Sequence, residues 1–324
     1  MVDHGAFQKR PRADADTMKP LNLSLPASSA NLGPAFDAAA VALNLTLKVR
    51  ARASDSFSIV ARGRDTEVCG RLENHLILST YQEILRSEKK NGPALALMID
   101  NEFPIGKGLG SSAAARLAGI ALAVHFGRLR WDSPRIIYEA SVLEHHPDNA
   151  SACWMGGITL ARIGSAGGRA AQVAQIQPKG RWPLVLAVPD TVLSTEQARA
   201  VLPKQYSRAD AVANIQNSML LAAALFTGNR QLLASSLEDR IHQPYRAPLC
   251  PLLPALTGFP RSEGVLGVAL SGAGPSVLIF PDPRHPLALT VSRIKAQLKA
   301  RALQAELILT KIARQGGEAS LFNR

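Results

Sequence analysis

The run Pro104-Ile105-Gly106-Lys107-Gly108-Leu109-Gly110-Ser111-Ser112-Ala113 brings a glycine-rich turn, a lysine and two adjacent hydroxyls together. Such residues at this spacing suit the cradling of a phosphate. Glycines let backbone N–H groups approach an anion unobstructed, and a helix starting at the serines would add unpaired donors and the positive end of its dipole. Ser111 or Ser112 would then cap that helix or ligate Mg²⁺. The run is not a Walker A loop, because no Gly-Lys-Ser/Thr follows at the required spacing. Nor is it a dinucleotide fingerprint, because Gly-x-Gly-x-Gly replaces Gly-x-Gly-x-x-Gly. A second glycine turn, Ser271-Gly272-Ala273-Gly274, lies between two apolar runs and reads locally as a β-turn.

A phosphate loop needs a strand before it and a helix after it. Ala94–Ile99 is the expected strand, and 113–124, with Leu117, Ile120, Leu122 and Val124, the expected helix. Val41–Val49 alternates apolar and polar side chains, the period of a strand with one buried face. Helices are expected over 76–86, 133–143, 209–226 and 231–237. Further strands are expected over 155–163, 184–188, 265–270, 277–280 and 307–312. The glycine- and arginine-containing stretch 164–180 reads as a domain boundary. Thr195 and Arg199 lie one helical turn apart and can share a face.

Several segments, in a fixed order, carry a resemblance. They are Pro26-Ala-Ser-Ser-Ala-Asn-Leu-Gly-Pro-Ala-Phe-Asp37, the loop from Pro104, Glu144-His-His-Pro-Asp-Asn149, Ser194-Thr-Glu-Gln-Ala-Arg199, Asp239-Arg-Ile-His-Gln-Pro-Tyr-Arg246 and Leu270-Ser-Gly-Ala-Gly-Pro-Ser276. Together they resemble a homoserine kinase of the GHMP kinase superfamily. The resemblance implies an α+β, two-domain GHMP kinase fold with an N-terminal ribosomal-protein-S5-like domain and a C-terminal ferredoxin-like domain. Residues 18–178 would form the ATP-binding domain and 179–324 the second, with 1–17 a disordered extension and Met18 an alternative start. It implies ATP-dependent phosphorylation of L-homoserine to O-phospho-L-homoserine in threonine biosynthesis, with ATP as co-substrate and Mg²⁺ as cofactor. The alternatives are a related kinase for another small alcohol and a non-catalytic metabolite-binding homologue.

By the same resemblance, 104–113 would bind ATP, and Ser271, Gly272, Ala273 and Gly274 would support the phosphate loop. Glu144 with Ser111 or Ser112 would hold Mg²⁺. Arg199 and Arg246 would grip the substrate carboxylate, for which guanidinium forks are well shaped. Asn31 and Asp37 would contact the amino and hydroxyl end, and His146 and Thr195 would complete the pocket. Asn149 stands where mevalonate kinases place an aspartate and cannot accept a proton. Catalysis would then rest on alignment and electrostatics, with His146 positioning substrate and Asp148 ordering its loop. Two residues depart from the family pattern: Ala35 and His145 each replace a glycine.

The composition agrees with an enzyme of this kind. The 324 residues, 47% hydrophobic, can build two cores. Arg116 interrupts the apolar stretch after the loop, so no membrane span is expected, and the polar N-terminus lacks a secretory apolar region. A cytoplasmic location is the expectation. Cys69, Cys153 and Cys250 are odd in number and widely spaced, which suggests reduced thiols and no disulfide framework. The net charge of +12 raises the question of nucleic acid. Half of it lies in 284–324, partly on a helix with Arg293, Lys295, Lys299 and Arg301 opposite Val291, Ile294 and Leu298. With aromatics at 5% and no nucleic-acid motif, no such partner is expected. The partners expected are L-homoserine, ATP and, left open, a second copy in a homodimer.

Overall fold

The computed structural model describes residues 18–164 and 168–322. The expectation for 1–17 lies outside the described residues. The first body holds strands β1 (Leu21–Ala30), β2 (Ala39–Ser54), β3 (Ser58–Gly63), β4 (Ala94–Asn101), β5 (Ile158–Ile163) and β6 (Ala171–Ile176). Its helices are α1 (Thr66–Cys69), α2 (Leu76–Ser87), α3 (Ser111–Phe126), α4 (Ser133–Glu144) and α5 (Asp148–Met155). The sheet runs β3-β4-β2-β5-β6, with β1 pairing β2 and only β3 and β4 parallel. β2 is its spine. Leu47, Val49 and Ala51 enter the core while Lys48, Arg50 and Arg52 alternate outward, the pattern of a half-buried strand. α3 is apolar nearly all round, as a helix enclosed by the sheet, α2 and α4 must be.

The second body holds β7 (Pro183–Val188), α6 (Thr195–Ala200), α7 (Arg208–Thr227), α8 (Arg230–Ser236), α9 (Gln243–Arg246), α10 (Leu252–Thr257), β8 (Val265–Leu270), β9 (Val277–Pro281), α11 (Leu287–Ala300) and β10 (Glu306–Lys311). Its antiparallel sheet runs β10-β7-β9-β8, with helices in the β7–β8 and β9–β10 connections. This is the ferredoxin-like order. α11 buries Thr290, Ile294 and Leu298 and turns Lys295 and Lys299 to solvent, so its charge clothes a core-packing helix.

The stretch 168–180 contributes β6, paired to β5, and the chain crosses between the sheets after Ile176. Two expectations need correction. The strand expected from Met155 begins only at Ile158, since Met155 ends α5 and glycines 156 and 157, both at positive φ, make the turn between them. Asp148 and Asn149 belong to the first turn of α5 and not to a loop. The chain after β10 also returns to the first body. Ile312 bridges Leu43, Ala313 pairs with Gly157 and Ala42, and Phe322 packs edge-on against Trp154.

Candidate active site

The glycine loop connects the end of β4 to α3. Gly110 is the residue before the helix at φ 69°, and no side chain caps the helix there, so its leading N–H groups stay available to an anion. A Cβ on Gly110 would collide with Ser28 Oγ. Gly108, at φ 78°, lies against the second glycine turn, where a Cβ would come within 2.7 Å of the Gly274 carbonyl oxygen and nearer still to that of Ser271. Ser271 Oγ is 2.8 Å from both the Gly108 carbonyl oxygen and Ser29 Oγ. The Ser28 N–H donates to the Leu109 carbonyl and the Gly272 N–H to that of Ala30. Three remote segments thus interlock, the first in chain order joined to each of the others through backbone and the second to the third through the Ser271 hydroxyl. Lys107 Nζ donates to the Asp190 and Thr191 carbonyls of the second body.

The loop forms the wall between two cavities. One, of about 540 Å³, is largely apolar, with Leu47, Ile77, Ile99, Phe103 and Ile105 among its lining and Asn74 and His75 at its polar side. The other, of about 330 Å³, is polar and lies between the two bodies. Gly106, Ser111 and Ser112 line both. An apolar chamber and a polar chamber therefore meet at the glycine loop and the N-terminus of α3.

The polar chamber gathers Asn31, Asp37, Glu144, His146, Asn149, Thr195, Arg199, Arg246, Gly272, Ala273 and Gly274. Arg199 Nη2 donates to both oxygens of Asp37 (2.8 and 3.0 Å), joining residues 162 positions apart. Ser194 and Gln197 form a capping box that starts α6 and sets Thr195 and Arg199 on its chamber-facing side. Arg246 is 1% exposed. Its Nε donates to the Ala198 carbonyl (2.9 Å), and Nη1 lies 3.2 Å from His242 Nδ1 and 3.4 Å from the Gly272 carbonyl oxygen. Nη2 has no hydrogen-bond partner among the described residues, which leaves it for the chamber. Burial and then the charge of Arg199 lower the Arg246 pKa, but a guanidinium keeps its proton. Both guanidinium groups lie 5.3–5.5 Å from the Phe36 ring centre. Asn31 donates to the Gly272 carbonyl (2.8 Å) and accepts from the Asp37 N–H (3.0 Å), so it braces the first segment against the third while lining the chamber.

Glu144 ends α4. Its Oε1 accepts from Ser112 Oγ and from Arg116 Nε, each at 2.6 Å, while Oε2 has no hydrogen bond among the described residues. The Glu144 carboxylate and the Ser111 and Ser112 hydroxyls are hard oxygen donors, a chemistry that fits Mg²⁺. His146 Nδ1 is 2.6 Å from Asp148 Oδ1, which also takes the Asn149 N–H. Burial by itself would lower the His146 pKa, but its hydrogen bond to Asp148 and that residue's charge, with Asp37 and Glu144 beyond, hold it above the ordinary imidazole value. Asp37, His146 and Asp148 converge closely enough to hold a cation, yet Asp37 is paired with Arg199 and His146 with Asp148. Ser28 Oγ donates to Asn149 Oδ1 (2.7 Å), so Asn149 fastens α5 to β1.

The glycine replacements behave differently. Ala35 is buried and stays out of the positive-φ region, whereas His145 occupies it (φ 67°, ψ 9°) as the C-cap of α4. Sequence reasoning gave no role to Ser28, Phe36, Arg116 or His242, although three of them lie inside or beside motifs it used. Beyond the loop residues Ile105, Gly106, Ser111 and Ser112, it gave no role to the lining of the apolar cavity, whose aliphatic side chains have the same pattern as core.

The description "GHMP kinases N terminal domain" matches residues 75–157, and "GHMP kinases C terminal" matches 221–300. A homoserine kinase of Solibacter usitatus is 47% identical over 80% of this chain and 84% of its own. One of Deinococcus radiodurans is 36% identical over 83% of this chain and 87% of its own. The crystal structure of homoserine kinase from Cytophaga hutchinsonii, 23% identical, superposes with a TM-score of 0.77 over 97% of this chain and 99% of its own, a likeness of fold. With both GHMP domains matched in order and close relatives matched along most of their length, the chain belongs to the homoserine kinase family of GHMP kinases.

Proposed function

We propose that this chain transfers the γ-phosphoryl group of ATP to the hydroxyl of L-homoserine, giving O-phospho-L-homoserine for threonine biosynthesis. The observation that carries the reading is the meeting of the apolar and polar chambers at Gly106, Ser111 and Ser112, the polar one holding Arg199, Arg246 and Asp37. A zwitterionic amino alcohol needs opposite charges a few ångströms apart. Arg246 Nη2 and Arg199 suit its carboxylate, and Asp37, shared with Arg199, suits its ammonium. The apolar cavity takes adenosine, which places the phosphates along the loop and the leading N–H groups of α3.

Glu144 with Ser111 or Ser112 would hold Mg²⁺, whose charge neutralises the triphosphate. Arg116 holds the same Glu144 oxygen, Oε1, that Ser112 bonds, which leaves Oε2 as the free ligand atom among the described residues. Asn149 holds α5 and β1 in register and takes no proton, so the chemistry rests on alignment of the acceptor and on charge stabilisation. His146 is turned by Asp148 so that Nε2 is left for the chamber, where it orients the hydroxyl. We divide the chain functionally into 18–178 and 179–324. Three buried thiols, Cys69, Cys153 and Cys250, all unpaired, support a reducing, cytoplasmic setting.

The test is ADP release by the purified protein over L-homoserine, its methyl ester, other amino alcohols, mevalonate and sugars. L-homoserine is expected to be preferred, with the ester much weaker. Turnover of mevalonate or a sugar without homoserine would overturn the reading.

A further inference from the structure

Behind Arg246 lies a buried imidazole that the reaction chemistry does not use. His242 is wholly buried between the Gly33–Asp37 segment and α9. Its Nε2 is 2.8 Å from the Gly33 carbonyl oxygen, an atom that can only accept. Its Nδ1 is 3.2 Å from Arg246 Nη1, an atom that can only donate. Asp239 Oδ2, also buried, lies 3.5 Å from Nε2. A proton on Nε2 suits both oxygens and the donor at Nδ1 needs an acceptor, so the contacts fit a neutral ring with the proton on Nε2. The ring also stacks on Phe36, with centroids 5.1 Å apart and planes at 25°, and Phe36 precedes Asp37. The Asp239 carboxylate accepts the N–H groups of Ile241, His242 and Gln243, which anchors the backbone carrying the ring.

We propose that His242 is a positioning residue of the acceptor site: as a neutral Nε2–H imidazole it ties the Arg246 guanidinium to the Gly33–Asp37 segment, fixing the distance between the carboxylate-binding and ammonium-binding groups. The inference rests on the assignment of Arg246 and Asp37 to a zwitterionic acceptor. Three contacts on Arg246, Ala198 to Nε and His242 and the longer Gly272 carbonyl to Nη1, leave Nη2 as the free donor. Without His242, only the longer Gly272 contact restrains Nη1, so the Nη2 edge can swing about the Nε anchor and lose its register with Asp37. A protonated ring would set an N–H against the guanidinium. Burial, reinforced by Arg246 and opposed by Asp239, the Gly33 carbonyl and Asp37, keeps the ring neutral.

Two measurements test this. In the first, His242→Phe keeps the ring stacked on Phe36 but removes both polar contacts, while His242→Gln keeps a donor for the Gly33 carbonyl. The expected result for Phe is a rise of about tenfold or more in the homoserine KM with the ATP KM within about twofold, and an intermediate rise for Gln. Parallel changes in both KM values, or none, overturn the proposal, because a merely structural role would not single out the acceptor. The second needs only the wild type and one folded variant to assign the signal. Long-range ¹H–¹⁵N spectra of histidine-labelled protein should show a ring signal, absent from the variant, that keeps the Nε2–H tautomer through a pH series in which free histidine added as reference changes state. An Nδ1–H tautomer for that signal, or titration alongside the free reference, overturns it. A wild type that ignores homoserine but shows the locked ring would instead overturn the assigned function.

Discussion

Replacing Gly108 with alanine tests whether the second glycine turn braces the phosphate loop. The added Cβ must sit at φ 78°, which costs an L-residue roughly 1–2 kcal/mol. It would also lie within 2.7 Å of the Gly274 carbonyl oxygen, about 0.7 Å inside ordinary contact, with the Ser271 carbonyl closer still. Both neighbours are backbone, held by Ser271 Oγ and by the Gly272 N–H to Ala30, so neither can rotate away. Overpacking of that kind adds about 1–3 kcal/mol. The summed destabilisation is about 2–5 kcal/mol, enough to lower the melting midpoint of a chain this long by about 3–7 °C. Turnover should fall by about 100-fold, because a loop displaced by something near 1 Å no longer aligns the phosphates. Gly106→Ala supplies the contrast: its φ is 71°, but the new Cβ meets only the exposed Val192 side chain at 3.3 Å, so the conformational term stands alone. Melting curves and steady-state kinetics with varied ATP would measure both variants. A Gly108→Ala protein that melts within about 2 °C of wild type and turns over normally would refute the brace.

Arg246→Leu should raise the homoserine KM by roughly 30-fold to several thousand-fold, the equivalent of about 2–5 kcal/mol for leaving a substrate carboxylate unpaired, with the ATP KM little changed; equal effects on both substrates would remove Arg246 from the acceptor site. Glu144→Gln keeps an acceptor for Ser112 and Arg116 but loses the charge, so the Mg²⁺ concentration for half-maximal rate should rise about tenfold or more at unchanged melting temperature. An unaltered Mg²⁺ requirement would place the ion elsewhere. Because the His146 pKa is raised in the folded state, its contribution to stability is complete below the unfolded value near ~6.5 and fades as pH climbs through the folded value. Urea unfolding should therefore show wild type losing stability relative to His146→Gln as pH rises above neutrality, and parallel curves would contradict the pairing with Asp148. His145→Gly relieves a left-handed residue at the C-cap of α4 and should stabilise the protein by about 1 kcal/mol in the same assay; no gain would mean that the conformation is unstrained.

What the sequence determined by itself was local. A strand, a glycine run and a helix are specified by apolar period, by the absence of side chains and by the hydroxyls that follow, and they form β4, the glycine loop and α3 within two residues of the expected bounds. The alternation in β2 likewise announces its buried face. Motif order carried the family and, through it, the residues assigned to the acceptor, which line one chamber. Tertiary structure decided the rest. The apolar cavity is lined by Ile77, Ile99 and Phe103, and hydrophobic period alone cannot tell a side chain facing a ligand from one facing another side chain. Whether a replaced glycine mattered depended on φ, a backbone angle fixed by surrounding packing; Ala35 avoids the left-handed region and His145 does not. The tie between Arg199 and Asp37, and that of Arg246 through His242 to Gly33, join residues more than 160 positions apart. Such pairs exist only because the two sheets close on each other, and no local preference of either segment encodes the distance between them.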